Sequence, residues 1–129
     1  MRAIGAAVVC LLLMRMDAAA HRLDEYLQAT RVSLARGAVT LEVDLTPGAS
    51  IAATVLEVLD TDRDGRFSAF EAGAYGRAVV EDLVIELDGR PVALSVDRVE
   101  ASTPGEMREA MGTTRVHVVG RVDAAGGGR

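Results

Sequence analysis

The chain has 129 residues, half of them hydrophobic, with 14 basic side chains against 19 acidic ones and a formal net charge of −5. That length suits one small domain, and an acidic balance with no basic cluster interleaved with aromatics argues against nucleic acid as a partner. With Cys10 as the single thiol, no intrachain disulfide is available to staple the fold.

In chain order, Arg2 precedes an apolar run over residues 3–14, and Ala18-Ala19-Ala20 follows it. A basic start, an apolar stretch and a small-residue end form the pattern of a secretory signal peptide. The run is shorter than the roughly 20 residues a membrane-spanning helix needs, so a retained anchor is the less favoured alternative. Residues 1–20 are therefore expected to be removed near Ala20, leaving His21 first in a secreted or periplasmic protein. Cys10 lacks a small-residue context for lipid attachment and leaves with the leader. The remaining chain carries 12 arginines against 18 acidic residues, about −6 in formal charge.

Residues 21–122 read as a single domain. A strand over about Tyr26 to Leu34 and a second in which Val39, Leu41, Val43 and Leu45 alternate with polar residues form a hairpin about Ala35-Arg36-Gly37-Ala38. Thr46-Pro47-Gly48 closes it. A helix–loop–helix spans about 49–82, with Ala52, Val55, Leu56 and Leu59 as the apolar face of its first helix. Phe70, Ala72, Tyr75 and Val79 give a stripe on the second, which starts at Ser68 as N-cap and is weakened by Gly73 and Gly76. Leu83, Ile85 and Leu87 then alternate on a strand, Asp88-Gly89 turns it, and Val92, Leu94 and Val96 are expected on its return partner. A loop over residues 102–112 carries a short helical turn. The last strand covers about Arg115 to Val122, and residues 123–129, rich in glycine and alanine, are expected to be disordered. The fold class is thus α+β: a small antiparallel β-sheet or sandwich with one inserted helix–loop–helix.

The chemistry is concentrated between the two helices. Asp60-Thr61-Asp62-Arg63-Asp64-Gly65-Arg66-Phe67-Ser68-Ala69-Phe70-Glu71 places oxygen-bearing side chains at loop positions 1, 3, 5, 9 and 12 and glycine at 6, the calcium loop of an EF-hand. Calcium takes six to eight oxygen ligands, so a short chain must curl around it and offer carboxylates from several directions. Asp60, Asp62 and Asp64 would each supply one oxygen, Arg66 its carbonyl, Ser68 a contact through water, and Glu71 both carboxylate oxygens. Gly65 serves the reversal at position 6, where positive φ is favoured. Arg63 and Arg66 partly offset the acidic charge and lower the expected affinity relative to a more acidic loop, which is tolerable outside the cytoplasm, where calcium modules function with dissociation constants of about 10⁻⁴ to 10⁻³ M.

Several further expectations follow from what surrounds the loop. Nothing in the remaining residues assembles an acid, base and nucleophile, so no catalytic role is expected. Asp24, Glu25, Glu81 and Asp82 read as solvated surface charges. His21, as a free N-terminus, would offer an amine and an imidazole to copper or nickel, with His117 as a distant third ligand; His117 is expected on the solvent side of a strand whose Val116 and Val118 face the core. Calcium as a sensor signal, opening the helices to a protein partner, is a third reading. With a single EF-hand, Phe67 at position 8 must bridge to a sheet strand, to a second protomer in a homodimer, or to nothing.

The segments His21-Arg22-Leu23-Asp24-Glu25-Tyr26-Leu27-Gln28-Ala29, Leu45-Thr46-Pro47-Gly48, the calcium loop, Leu87-Asp88-Gly89-Arg90-Pro91 and Glu106-Met107-Arg108-Glu109 together resemble a bacterial exported EF-hand domain. That domain stands at the N-terminal, extracytoplasmic side of HupE/UreJ-like membrane proteins, a group associated by name with nickel, hydrogenase and urease accessory transport. The resemblance implies a non-enzymatic accessory domain outside the cytoplasm. Any membrane transporter it serves is expected to be a separate chain.

Overall fold

The computed structural model describes residues 24–122. The expected leader with Cys10, the chelating His21 and the tail from residue 123 lie outside that span. Strand β1 (Tyr26–Ala35) and strand β2 (Ala38–Pro47) form the expected hairpin, in unbroken antiparallel register from Tyr26 opposite Pro47 to Ala35 opposite Ala38. Gly37 takes φ 79° in the turn, a conformation that costs glycine little. Helix α1 (Ala49–Leu59) and helix α2 (Ala69–Glu81) flank the acidic loop. The short strands β3 (Glu86–Leu87) and β4 (Arg90–Pro91) precede strand β5 (Leu94–Ala101), helix α3 (Pro104–Arg108) and strand β6 (Thr114–Arg121).

The main sheet is a single antiparallel layer in the order β1-β2-β6-β5, so the choice between sheet and sandwich resolves to a sheet with helix on one face. Period-2 patterning builds its core: Val39, Leu41, Val43 and Leu45 from β2 meet Val116 and Val118 from β6, all buried. Tyr75, Val79 and Val80 from α2 cover them. Gly76 explains how closely that helix lies: a Cβ there would come within 2.6 Å of Val99 Cγ2 on β5. The glycine that weakens α2 as a helix is what lets it rest on the sheet.

The expected second hairpin is corrected. Asp88 and Gly89 do turn, both at positive φ (51° and 73°), as a two-residue hairpin loop requires. Its ladder holds only Leu87 opposite Arg90 and Glu86 opposite Pro91, extended by the Val92 amide donating to the Ile85 carbonyl. Leu94 and Val96 instead pair with Gly120 and Val118 of β6. A sheet already holding buried Val116 and Val118 offers these residues more apolar cover than a free two-stranded ribbon does. A bulge between Val96 and Arg98 then shifts the alternation, so that Val99 and Ala101 continue the covered side.

A second cluster lies under the acidic loop, where Leu56, Leu59 and Met107 are buried and Val55, Phe67, Tyr75 and Ala101 pack around them. Phe67 packs its ring against this cluster, whose buried side chains come from α1 and α3. Helix α3 is shaped at both ends. Thr103 and Glu106 form a reciprocal capping box at its start. At its end the Ala110 amide reaches the Met107 carbonyl and the Met111 amide reaches the Glu106 carbonyl, with Ala110 at φ 56°.

The outer face of the sheet is ionic. Arg115 donates two hydrogen bonds to Asp44, Nε to Oδ1 at 2.6 Å and Nη2 to Oδ2 at 2.9 Å, and Arg31 pairs with Glu42. His117 is corrected here: it is on the outer face as expected but only 9% exposed, because β6 is central and long side chains from β2 and β5 close over it. Its Nε2 lies 3.3 Å from Glu100 Oε1, outside hydrogen-bonding alignment. The Arg115 hydrogen bonds, above all, hold the Asp44 carboxyl below the usual carboxylate range, against the opposing effect of its partial burial. A depressed folded pKa means stability that is complete above the unfolded value near 3.9 and is lost as pH falls through the folded value. Melting of the calcium-free protein is expected to fall steeply below about pH 4, with Asp44→Asn flattening that fall and costing about 1 kcal/mol at neutral pH. An unchanged acid limb in the variant would remove this pair from the account.

Candidate metal centre

The loop between α1 and α2 is held by its own backbone amides. Asp60 Oδ1 accepts from the Asp64 amide at 3.0 Å and Oδ2 from the Gly65 amide at 3.0 Å. Asp62 Oδ1 accepts from the same Asp64 amide at 3.0 Å, and Asp64 Oδ1 from the Arg66 amide at 2.8 Å. This inward aim of amides requires two left-handed residues. Gly65 has φ 79°, as the motif predicts; Arg63, which has a Cβ, has φ 61° and stores a modest strain, about 1 kcal/mol.

Glu71 closes the loop from the first turn of α2. It is buried, 4% exposed, and both oxygens are engaged. Oε1 accepts from the Thr61 amide (2.7 Å), the Thr61 hydroxyl (2.9 Å) and the Asp62 amide (3.2 Å). Oε2 accepts from the Ser68 amide (3.0 Å) and hydroxyl (2.7 Å), and the Glu71 amide returns a bond to Ser68 Oγ. Ser68 and Glu71 thus form a capping box as well as loop positions 9 and 12. The Ser68 hydroxyl first, then its amide and the donors of Asp62 and Thr61, pull the Glu71 carboxyl down to about 2, against burial, which pushes the other way.

Ligand atoms of Asp60, Asp62 and Glu71 lie within 4.8 Å of one another, and among the described residues this is the one such group of histidine, cysteine or carboxylate side chains. Asp64, Arg66 and Ser68 stand beside it on the same loop, with the Asp64 carboxylate turned to the Arg66 amide and the Ser68 hydroxyl to Glu71. His117 belongs to no such group. Three negative groups this close repel one another, and a divalent cation between them would convert repulsion into attraction. Oxygen-only donors around a short loop suit a hard cation such as Ca²⁺.

Phe70, expected in the apolar stripe of α2, is 78% exposed. Tyr75, Gly76 and Val79, which rest on the sheet, lie roughly 140–240° around the helix from it, so Phe70 falls on the opposite face. Thr61 is the participant that spacing did not single out. Its hydroxyl and amide both hold Glu71, and a small hydroxyl residue beside the first aspartate was the available signal. No family model, curated protein or solved structure matches the chain.

Proposed function

We propose that this is a non-enzymatic accessory domain, secreted or periplasmic, whose single EF-hand binds Ca²⁺ chiefly as a structural stabiliser. The observation that carries the reading is the convergence of Asp60, Asp62 and Glu71 within 4.8 Å, in a helix-flanked loop with glycine at φ 79° in position 6. Asp60, Asp62, Asp64, Ser68 and Glu71 would bind through side chains and Arg66 through its carbonyl. Glu71 is already anionic at neutral pH, held so by its donors, and would enter coordination without releasing a proton. The resemblance to the exported domain of HupE/UreJ-like proteins supports the extracytoplasmic placement and a membrane transporter as partner.

The stabiliser role is favoured over the sensor role by the packing beneath the loop. The end of α1 and residue Phe67 share one buried cluster with Met107, and opening the helices would expose it. An ion that binds only the folded form stabilises it by about 2.7 kcal/mol at 100 times its dissociation constant. For a domain of this size that corresponds to a rise of roughly 10–20 °C in melting temperature. Calorimetric titration with Ca²⁺, with Mg²⁺ as competitor, alongside thermal melting tests this. Binding with little stabilisation and newly exposed apolar surface would replace stabiliser by sensor, and no heat at millimolar calcium would end the calcium reading.

A further inference from the structure

Among the described residues, strand β1 pairs on one edge only, and all ten of its own residues are exposed. It carries none of the devices that blunt an edge: no proline, no bulge in its ladder, and a single charge, Arg31, already paired with Glu42. The apolar stripe of the sheet also runs onto it. Val32 and Leu34 lie opposite Leu41 and Val39, on the side that α2 covers further in, yet remain 54% and 66% exposed.

The charges at its two ends indicate what completes it. Asp24 and Glu25 precede the strand and Arg36 follows it, all exposed. A copy of β1 running the opposite way would set the acidic start of each against the basic end of the other. We propose that β1 pairs antiparallel with β1 of a second copy about a twofold axis at Thr30, joining the two sheets into one. In this register Asp24 falls opposite Arg36, Tyr26 opposite Leu34, Gln28 opposite Val32 and Arg31 opposite Ala29. Even-numbered residues meet even-numbered ones, so Tyr26, Val32 and Leu34 of both copies share one face, and no like charges oppose. Moving the axis to Arg31 would stack two arginines. Residues 123–129 offer no apolar side chain beyond alanine and cannot supply the alternating strand. Phe67, the other candidate for a contact between copies, is engaged within its own chain.

Sedimentation velocity on protein expressed from the complete sequence, from micromolar to millimolar, with calcium and with chelator, tests the pairing. The wild type is expected to dimerise in both conditions, so failure of calcium binding would leave this result untouched. Arg36→Asp is expected to weaken the dimer roughly tenfold, since two cross-axis pairs turn repulsive, and adding Asp24→Arg to restore it; circular dichroism confirms that each variant folds. A monomer at millimolar concentration, a dimer indifferent to the reversal, or failure of the double variant to recover would overturn the proposal.

Discussion

Glu71→Gln is expected to reduce calcium affinity on the order of a hundredfold and to lower the melting temperature of the calcium-free protein as well. The first effect follows from losing the charge and one oxygen at the position that closes the loop. The second is specific to this structure. Both Glu71 oxygens face donors: the Thr61 and Asp62 amides on one side, the Ser68 amide on the other. A glutamine has the same shape but must aim its NH₂ at one of those sets, placing donor against donor in a buried site. Calorimetry of wild type and variant, with melting in chelator, separates the two effects. A variant with normal calcium-free stability would mean that the loop collapses around Glu71 only when the ion is present.

Met107→Ala is expected to cost about 2–5 kcal/mol. Met107 is fully buried between Leu56 and Leu59, and a Cβ on Gly112 would lie 2.6 Å from its Cγ, so backbone closes the site from one side. A cavity there is walled by α1, Phe67 and the turn after α3, and cannot collapse without moving the loop that Phe67 belongs to. Urea unfolding should therefore show a large loss of stability together with weaker calcium binding, whereas Met107→Leu, which nearly conserves volume, should cost less than about 1.5 kcal/mol. Loss of stability with unchanged calcium affinity would show that the cluster and the loop are independent.

The metal loop was legible because its geometry is local. Each acidic residue of the motif sits at a fixed offset within twelve residues, and Gly65 takes the positive φ and Ser68 the N-cap that their positions predict. The first hairpin was legible for the same reason, a short turn between alternating strands. What failed was nonlocal. The alternation of Leu94 and Val96 announces a strand but not its partner, and the pairing with β6 depends on a sheet face assembled from residues up to Arg121. The burial of His117 likewise depends on the neighbours of a central strand, which its own flanking valines do not reveal. Phe70 fits the spacing of an apolar stripe but is exposed, because the face of α2 that rests on the sheet through Tyr75, Gly76 and Val79 is the opposite one, and only the tertiary contact decides which face is covered.

The order β1-β2-β6-β5 has a consequence for the chain as it is made. Within the sheet, the first hairpin and β5 are joined only through β6, the last of the described strands in chain order. Until residue 121 is available, Val39, Leu41, Val43 and Leu45 have no strand to complete their cover, and the helix–loop–helix hangs between two pieces of an unfinished sheet. An ion captured early by the acidic loop would shorten the stretch of free chain that β6 must close, so calcium present during folding should hasten it more than calcium added afterwards can repair.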